Sequence, residues 1–260
     1  MVKEILKHTT LKKTVLITGA TSGIGMATAQ KLAGEGFKLI LTGRRDARLK
    51  ELETSLSKQT EVLTLNFDVR DKELIFKLLQ NLPNNFKNIN VLINNAGNAH
   101  GLGSIDQADI EDFEDMIDIN VKGLLYVSKA IMPQMVARKS GHIVNIGSIA
   151  GKEVYPNGNV YCASKHAVDA ISKAMRIDLN AHGIRVGEIN PGLVETEFSL
   201  VRFKGDTQKA KTVYEGYKAL QADDIADLIH FMITRPPHVN IADVLILPTD
   251  QANAVTVHKE

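Results

Sequence analysis

The chain has 260 residues, 44% of them hydrophobic, and 31 Lys and Arg against 30 Asp and Glu leave a net charge of +1. That length fits one large α/β domain with a sizeable core, and the balanced charge gives no reason to expect nucleic acid, an anionic membrane or a strongly acidic partner. A single cysteine, Cys162, excludes an internal disulfide framework and a multi-cysteine zinc site. The first 13 residues show neither an apolar signal-peptide core nor arginine-rich transit character and read as an N-terminal extension. No apolar run approaches the roughly 20 residues of a membrane span, so the expectation is a soluble, cytoplasmic protein.

Short apolar runs alternate with stretches of helical period, the pattern of repeated β-α units around a parallel sheet. The predicted strands cover 14–18, 38–42, 61–66, 91–94, 142–146, 185–190 and 244–247. Their apolar residues are continuous rather than alternating, as strands covered on both faces require. Helices are predicted over 22–35 with Gly36 as its stop, 47–58, 71–82 closed by Pro83, 158–181 and 223–234. A long helical region over 109–138 is expected to be interrupted or bent by Pro133. A Gly-rich loop over 98–104 precedes it. The polar stretch 195–217 has weak periodicity and reads as a lid or binding segment. With no repeats, low-complexity tracts or linkers, residues 1–260 are expected to form a single domain, a Rossmann-type doubly wound parallel sheet with helices on both faces.

Thr18–Gly25 reads T-G-A-T-S-G-I-G between the first strand and the first helix. Glycines at 19, 23 and 25 allow a tight turn and a close backbone approach, leaving helix N-terminal N–H groups for a pyrophosphate. Arg44 and Arg45 follow the second strand, where a dinucleotide fold meets the adenosine ribose. An acid there suits the 2′-hydroxyl of NAD, whereas an arginine suits the 2′-phosphate of NADP. Asp68, ahead of Val69 at the end of the third strand, could accept from an adenine amino group or cap the next turn. The small residues of Asn94-Asn95-Ala96-Gly97 let backbone lie flat against a cofactor or simply turn the chain.

Asn120 sits inside a helical stretch, where an asparagine is unfavourable unless its side chain has a task. Ser148 ends an apolar run. Tyr161 and Lys165, four apart, share one helix face, and an ammonium beside a phenol favours the phenolate. That pair could work as a general acid or base.

Taken together, these motifs resemble the short-chain dehydrogenase/reductase family. They are T-G-x-x-x-G-x-G at Thr18–Gly25, N-N-A-G ending at Gly97, N-x-x-G at Asn120, Ser148, Y-x-x-x-K at Tyr161, and P-G with a later threonine from Pro191 to Thr196. The likeness spans nearly the whole chain. It implies a catalytic tetrad of Asn120, Ser148, Tyr161 and Lys165. In it Tyr161 exchanges the proton, and Lys165 lowers the Tyr161 pKa and holds the nicotinamide ribose. Ser148 orients the carbonyl, and Asn120 holds a relay water. It further implies that Gly19, Ala20, Thr21, Ser22, Gly23, Ile24, Gly25, Arg44, Arg45, Asp68, Val69, Asn94, Ala96 and Gly97 bind the cofactor, NADP(H). Pro191, Gly192, Val194 and Thr196 would position its nicotinamide.

The second half, with N-V-Y-C-A-S-K-H-A-V, P-G-L-V-E-T-E-F-S and V-R-F-K-G-D, is similar to the NADP-dependent members acting on serine, allo-threonine and other 3-hydroxy acids. That likeness implies a small carboxylate substrate and a homotetramer. A cation should face such a substrate, and Arg202 is the first candidate, Lys152 the second. A reductase of another carbonyl, such as a 3-oxoacyl thioester or ketone, is the alternative, and a non-catalytic cofactor-binding regulator is a rival of another class. Cys162 reads as a small packed residue. None of the eight histidines has metal-ligand spacing, and no metal is expected.

Overall fold

In this computed structural model, which describes residues 13–260, the apolar runs become strands with helices between them. In chain order these are β1 (Thr14–Ile17), α1 (Gly23–Gly34), β2 (Lys38–Gly43), α2 (Asp46–Leu56), β3 (Val62–Asn66), α3 (Lys72–Gln80), β4 (Ile89–Asn94), α4 (Ile110–Ile117), α5 (Leu124–Ala137), β5 (Gly141–Ile146) and α6 (Asn159–Leu179). They continue with β6 (Ile184–Pro191), β7 (Val194–Glu195), α7 (Phe198–Arg202), α8 (Thr207–Thr212), β8 (Leu220–Gln221), α9 (Ala222–Thr234) and β9 (Asp243–Ile246). The expected N-terminal extension lies, Lys13 apart, outside the described residues.

Seven strands form one parallel sheet in the order β3-β2-β1-β4-β5-β6-β9. Parallel neighbours need crossover helices, and these cover both faces. Leu16, Ile40, Leu92, Ile143 and Val186 point to one face, where Ile75, Ile131, Met135 and Val168 from α3, α5 and α6 close over them. Their strand neighbours Val15, Ile17, Leu39, Leu41, Ile93 and Ile189 point to the other, against Leu32, Leu49, Ile225 and Ile229 from α1, α2 and α9. Burial on both faces is the physical reason for the unbroken apolar runs. Strand order reverses between β1 and β4, and a crevice opens at the carboxyl ends of strands at such a point.

One expectation needs correction. The region over 109–138 is α4, a π-helical turn at Asp118–Gly123, and α5. Pro133 does not end the helix; it lies inside α5, which runs on to Ala137. Buried Val127, Ile131 and Met135 anchor this helix, which offsets the loss of one backbone hydrogen bond. The irregularity falls instead at Asn120, where the wide turn carries a polar side chain inward. The 195–217 stretch holds the short helices α7 and α8, and its base is pinned by parallel pairing of β7 with β8. Among the described residues no helix is long and apolar enough to cross a membrane.

Candidate active site

The turns after β1 and β4 are joined at the point where strand order reverses. Thr18 Oγ1 accepts from the backbone N–H groups of Asn95 and Ala96 at 3.0 and 2.9 Å. In return, Asn95 Nδ2 donates to the carbonyls of Thr18 and Gly19 at 2.9 and 3.2 Å. Gly19 takes a left-handed φ of 66°, and a Cβ there would come within 3.0 Å of the Ala96 Cα. Only glycine suits that close crossing of two backbones. No side chain caps the first turn of α1 at Ser22, so its N–H groups are left for an anion in the cleft. Along that side, Gly19, Thr21, Ser22, Gly23 and Ile24 line the cleft.

The adenosine end is basic. Arg45 Nε donates to Thr21 Oγ1 at 3.1 Å, and Arg44 reaches only loosely toward Asp68, at 3.5 Å. Asp68 accepts from the Arg70 backbone at 2.9 Å, which caps the turn, and from the Arg70 guanidinium at 2.8 Å. Burial alone would raise the Asp68 carboxyl, but Arg70 more than offsets it and holds it below the usual range.

At the other end, β5 delivers Ser148, α6 delivers Tyr161 and Lys165, and the π turn delivers Asn120. Ser148 is oriented by its own backbone N–H, which donates to Asn190 Oδ1 at 3.1 Å, and its side chain pulls the Tyr161 pKa down. Lys165, buried, donates from Nζ to the Ile146 carbonyl at 2.9 Å and lies 6.0 Å from the Tyr161 ring centre. Burial lowers its pKa to about 8, with Glu188 pulling in the opposite direction. Asn120 is 2% exposed; its amide accepts from Asn98 N at 2.8 Å and donates to Asn98 O and Ser164 Oγ at 2.8 and 3.0 Å. Gly97 fits between Asn120 and Lys165, where a Cβ would lie 3.2 Å from Asn120 Oδ1 and 3.6 Å from Lys165 Nζ. A glycine turn, a basic adenosine end and a Ser-Tyr-Lys group on one continuous cleft suit a dinucleotide with a reacting centre beside Tyr161.

Comparison with known proteins agrees. Residues 13–206 match the family model described as short chain dehydrogenase. The chain belongs to the short-chain dehydrogenase/reductase family. As a member it is an oxidoreductase acting on CH–OH groups. It is 46% identical over 247 residues to the NADP-dependent 3-hydroxy acid dehydrogenase YdfG of Salmonella typhi, covering 94% of this chain and 99% of that one. Sulfoacetaldehyde reductase 2 of Chromohalobacter salexigens is 44% identical over 239 residues, 92% of this chain and 95% of that one. Among solved structures, the closed form of a serine dehydrogenase complexed with NADP+ superposes with a TM-score of 0.89 at 44% identity, covering 95% of this chain and all of the other.

Within this short-chain dehydrogenase, Arg44, Arg45, Asp68, Val69, Ala96, Gly97, Ser148, Tyr161, Lys165, Pro191, Gly192, Val194, Thr196 and Arg202 all line the cleft. Other expectations do not hold. Lys152 points away: it pairs with Asp169 at 2.5 Å and Asp243 at 2.6 Å, and those acids take up its charge. Asn94 is turned into the core, where its amide donates to Ser128 Oγ at 2.9 Å and Asn145 Oδ1 at 2.8 Å. Side chains alternate along a strand, so the next residue, Asn95, is the one that faces the cleft. Ala20 is fully buried beneath the glycine turn, and Gly25 is enclosed against the Gly19 carbonyl; both shape the turn from behind. Tyr161, expected to be lowered by Lys165, is instead raised above the ordinary phenol value. Burial is the largest cause, and Ser148 and Arg202 only partly offset it.

Sequence reasoning passed over Asn95, Glu197 and Arg48. Asn95 stood inside a motif already noticed, and strand parity could have separated it from Asn94. Glu197 lines the cleft and Arg48 pairs with it at the rim, through tertiary contacts that no local pattern announces. Cys162 is buried, as a packed residue would be.

Proposed function

We propose that this short-chain dehydrogenase interconverts a small 3-hydroxy acid and its 3-oxo acid or semialdehyde, with NADP(H) as the hydride carrier. The observation that carries the substrate class is the position of Arg202. Its guanidinium donates to Tyr155 Oη at 2.8 Å and to the Gly101 carbonyl at 3.2 Å, and lies 5.4 Å from the Tyr161 ring centre. Among the described residues Nη1 makes no hydrogen bond, so a fixed cation with a spare donor faces the space beside the proton donor. A carboxylate on the carbon next to the reacting centre would meet it there.

NADP(H) would lie with its pyrophosphate on the glycine turn and its 2′-phosphate at Arg44 and Arg45. When bound, it supplies or accepts the hydride. Tyr161, kept protonated at neutral pH by burial, donates its proton to the carbonyl oxygen as the carbonyl is reduced. The Ser148 hydroxyl shares that oxygen and stabilises its developing charge. Lys165, mostly ammonium at pH 7, favours the phenolate that Tyr161 leaves behind. Asn120, tied to Asn98 and Ser164, holds the π turn open beside Lys165 and leaves a place for a relay water. A homotetramer and a cytoplasmic location belong to the same reading; exposed Ile110, Leu125 and Ile177 are apolar surface that further copies would cover.

Absorbance of the reduced cofactor, followed with NADP and with NAD, tests this. The substrates are L-serine, L-allo-threonine, 3-hydroxyisobutyrate, a neutral secondary alcohol and, in the reducing direction, sulfoacetaldehyde. Turnover of the hydroxy acids with NADP is expected. Turnover of the neutral alcohol alone would overturn the substrate class, and preference for NAD would overturn the roles of Arg44 and Arg45.

A further inference from the structure

Glu197 joins the two walls of the cleft across its rim. It follows Thr196 on the segment after β6, yet its carboxylate reaches the arginines that follow β2. Arg45 Nη1 lies 2.7 Å from Oε2, and Arg48 Nη1 donates to Oε1 and Oε2 at 2.8 and 3.0 Å. Both arginines are anchored on the glycine turn, Arg45 to Thr21 Oγ1 at 3.1 Å and Arg48 to the Thr21 carbonyl at 3.3 Å. One residue earlier, Thr196 packs so near Gly23 that a Cβ on Gly23 would lie 3.2 Å from the Thr196 Cβ. The segment is therefore held at its base by β7 with β8, at its middle by Glu197, and at its far end by Arg202, whose carbonyl accepts from Gly101 N at 2.9 Å.

We propose that Glu197, with Arg45 and Arg48, is a latch that closes the 196–202 segment over the pyrophosphate site and sets how fast the dinucleotide leaves. The inference rests on reading the cleft as an NADP(H) site. The two guanidinium groups hold the Glu197 carboxyl below the usual range, so the latch is charged at neutral pH. All three side chains are about two-fifths exposed, so the network adds little to folding stability and can open at small cost, as a gate must. What the latch holds is the chemistry. Phe198, next in sequence, packs its ring 5.6 Å from that of Tyr161, and Arg202 stands at the other end of α7. Glu197 thus acts as a positioning residue for both ends of the reaction.

The test is the dissociation rate of NADPH, read by its fluorescence after rapid mixing with excess NADP+, for wild type, Glu197→Gln, Arg48→Ala and the double variant. Arg45 is left intact because it faces the 2′-phosphate. Each single substitution should speed release roughly three- to tenfold, as loss of a partly exposed charged contact allows. The double variant should be no faster than the singles, and Glu197→Asp should fall between. The KM for the hydroxy acid should rise in parallel, while the thermal midpoint of the cofactor-free protein stays within about 1 °C. Unchanged release, additive acceleration, or slower release because Glu197 competes with the phosphate for Arg45 would each overturn the latch. Failure of the wild type to bind NADPH would overturn the cofactor reading itself. Normal binding and turnover with wild-type release in every variant would remove the latch alone.

Discussion

Glu188 offers a prediction whose size follows from its surroundings. It lies on β6 between Asn145 of β5 and Asp243 of β9, is 1% exposed, and sits behind Gly147, where a Cβ would strike its carboxylate. Among the described residues neither carboxylate oxygen has a hydrogen-bond partner. Burial pushes its pKa from 4.5 up to about 7; Lys152 pulls it down, while Asp169 and Asp243 push it further up. Below pH 4.5 the carboxyl is protonated in both the folded and unfolded chain, and nothing is lost. Between pH 4.5 and about 7 the unfolded chain releases the proton and the fold keeps it, so stability falls by about 1.4 kcal/mol per pH unit, about 3 kcal/mol in all. Above pH 7 the deficit stays constant.

Glu188→Gln preserves the shape and removes the ionisation. The variant should therefore match the wild type near pH 4.5 and exceed it by about 3 kcal/mol at pH 8, or roughly 6–10 °C in thermal midpoint. Urea unfolding of both proteins from pH 4.5 to 8 measures this, because titrations of groups remote from Glu188 cancel in the difference. A difference that stays flat across the range, or that shrinks as pH rises, would refute the reasoning. Glu188 also supports the Lys165 ammonium, so the same variant should move any pH limb due to Lys165 to lower pH.

Arg202→Ala should raise the KM for a hydroxy acid by about 30-fold or more, the cost of one charged hydrogen bond, while leaving a neutral alcohol unaffected; equal changes for both would remove Arg202 from substrate recognition. Replacing Arg44 and Arg45 together by Ala should weaken NADPH binding by about 100-fold or more and NADH binding only by the roughly three- to tenfold that loss of the latch contributes, as fluorescence titration would show; equal losses for both cofactors would refute the 2′-phosphate assignment. Lys165 keeps its charge below a pKa of about 8 and loses it above. Carbonyl reduction should accordingly fall as pH rises through about 8, and a flat profile to pH 10 would contradict a role for the ammonium. Tyr161→Phe should lower kcat by roughly 100-fold to 10,000-fold with NADPH affinity retained; near-normal turnover would exclude Tyr161 as the proton donor.

Much of this molecule is legible along the chain because its strongest constraints are local. Strands covered on both faces must be apolar throughout, a strand-to-helix turn at a close backbone crossing must be glycine, and a tyrosine four residues before a lysine must share its face. These local constraints set the sheet, the glycine turn and the placing of Tyr161 beside Lys165. What they leave undecided depends on which side chain ends up opposite which. Lys152 has the right charge for an anionic substrate, yet Asp169 and Asp243, 17 and 91 residues away, neutralise it on the far side of the β5–α6 loop. Arg202 looks the same in sequence and faces the cleft because Gly101 and Tyr155 hold it there. The sign of the Tyr161 shift was likewise a tertiary matter: a neighbouring ammonium is visible in sequence, but burial is not, and burial is the largest cause of the rise. The local pattern of the chain is enough for the fold, the glycine turn of the cleft and the placing of Tyr161 beside Lys165. Only the packed structure decided which cation faces the cleft, which asparagine faces it and which carboxylate, Glu197, spans its rim, since charge pairing and desolvation arise between residues far apart along the chain.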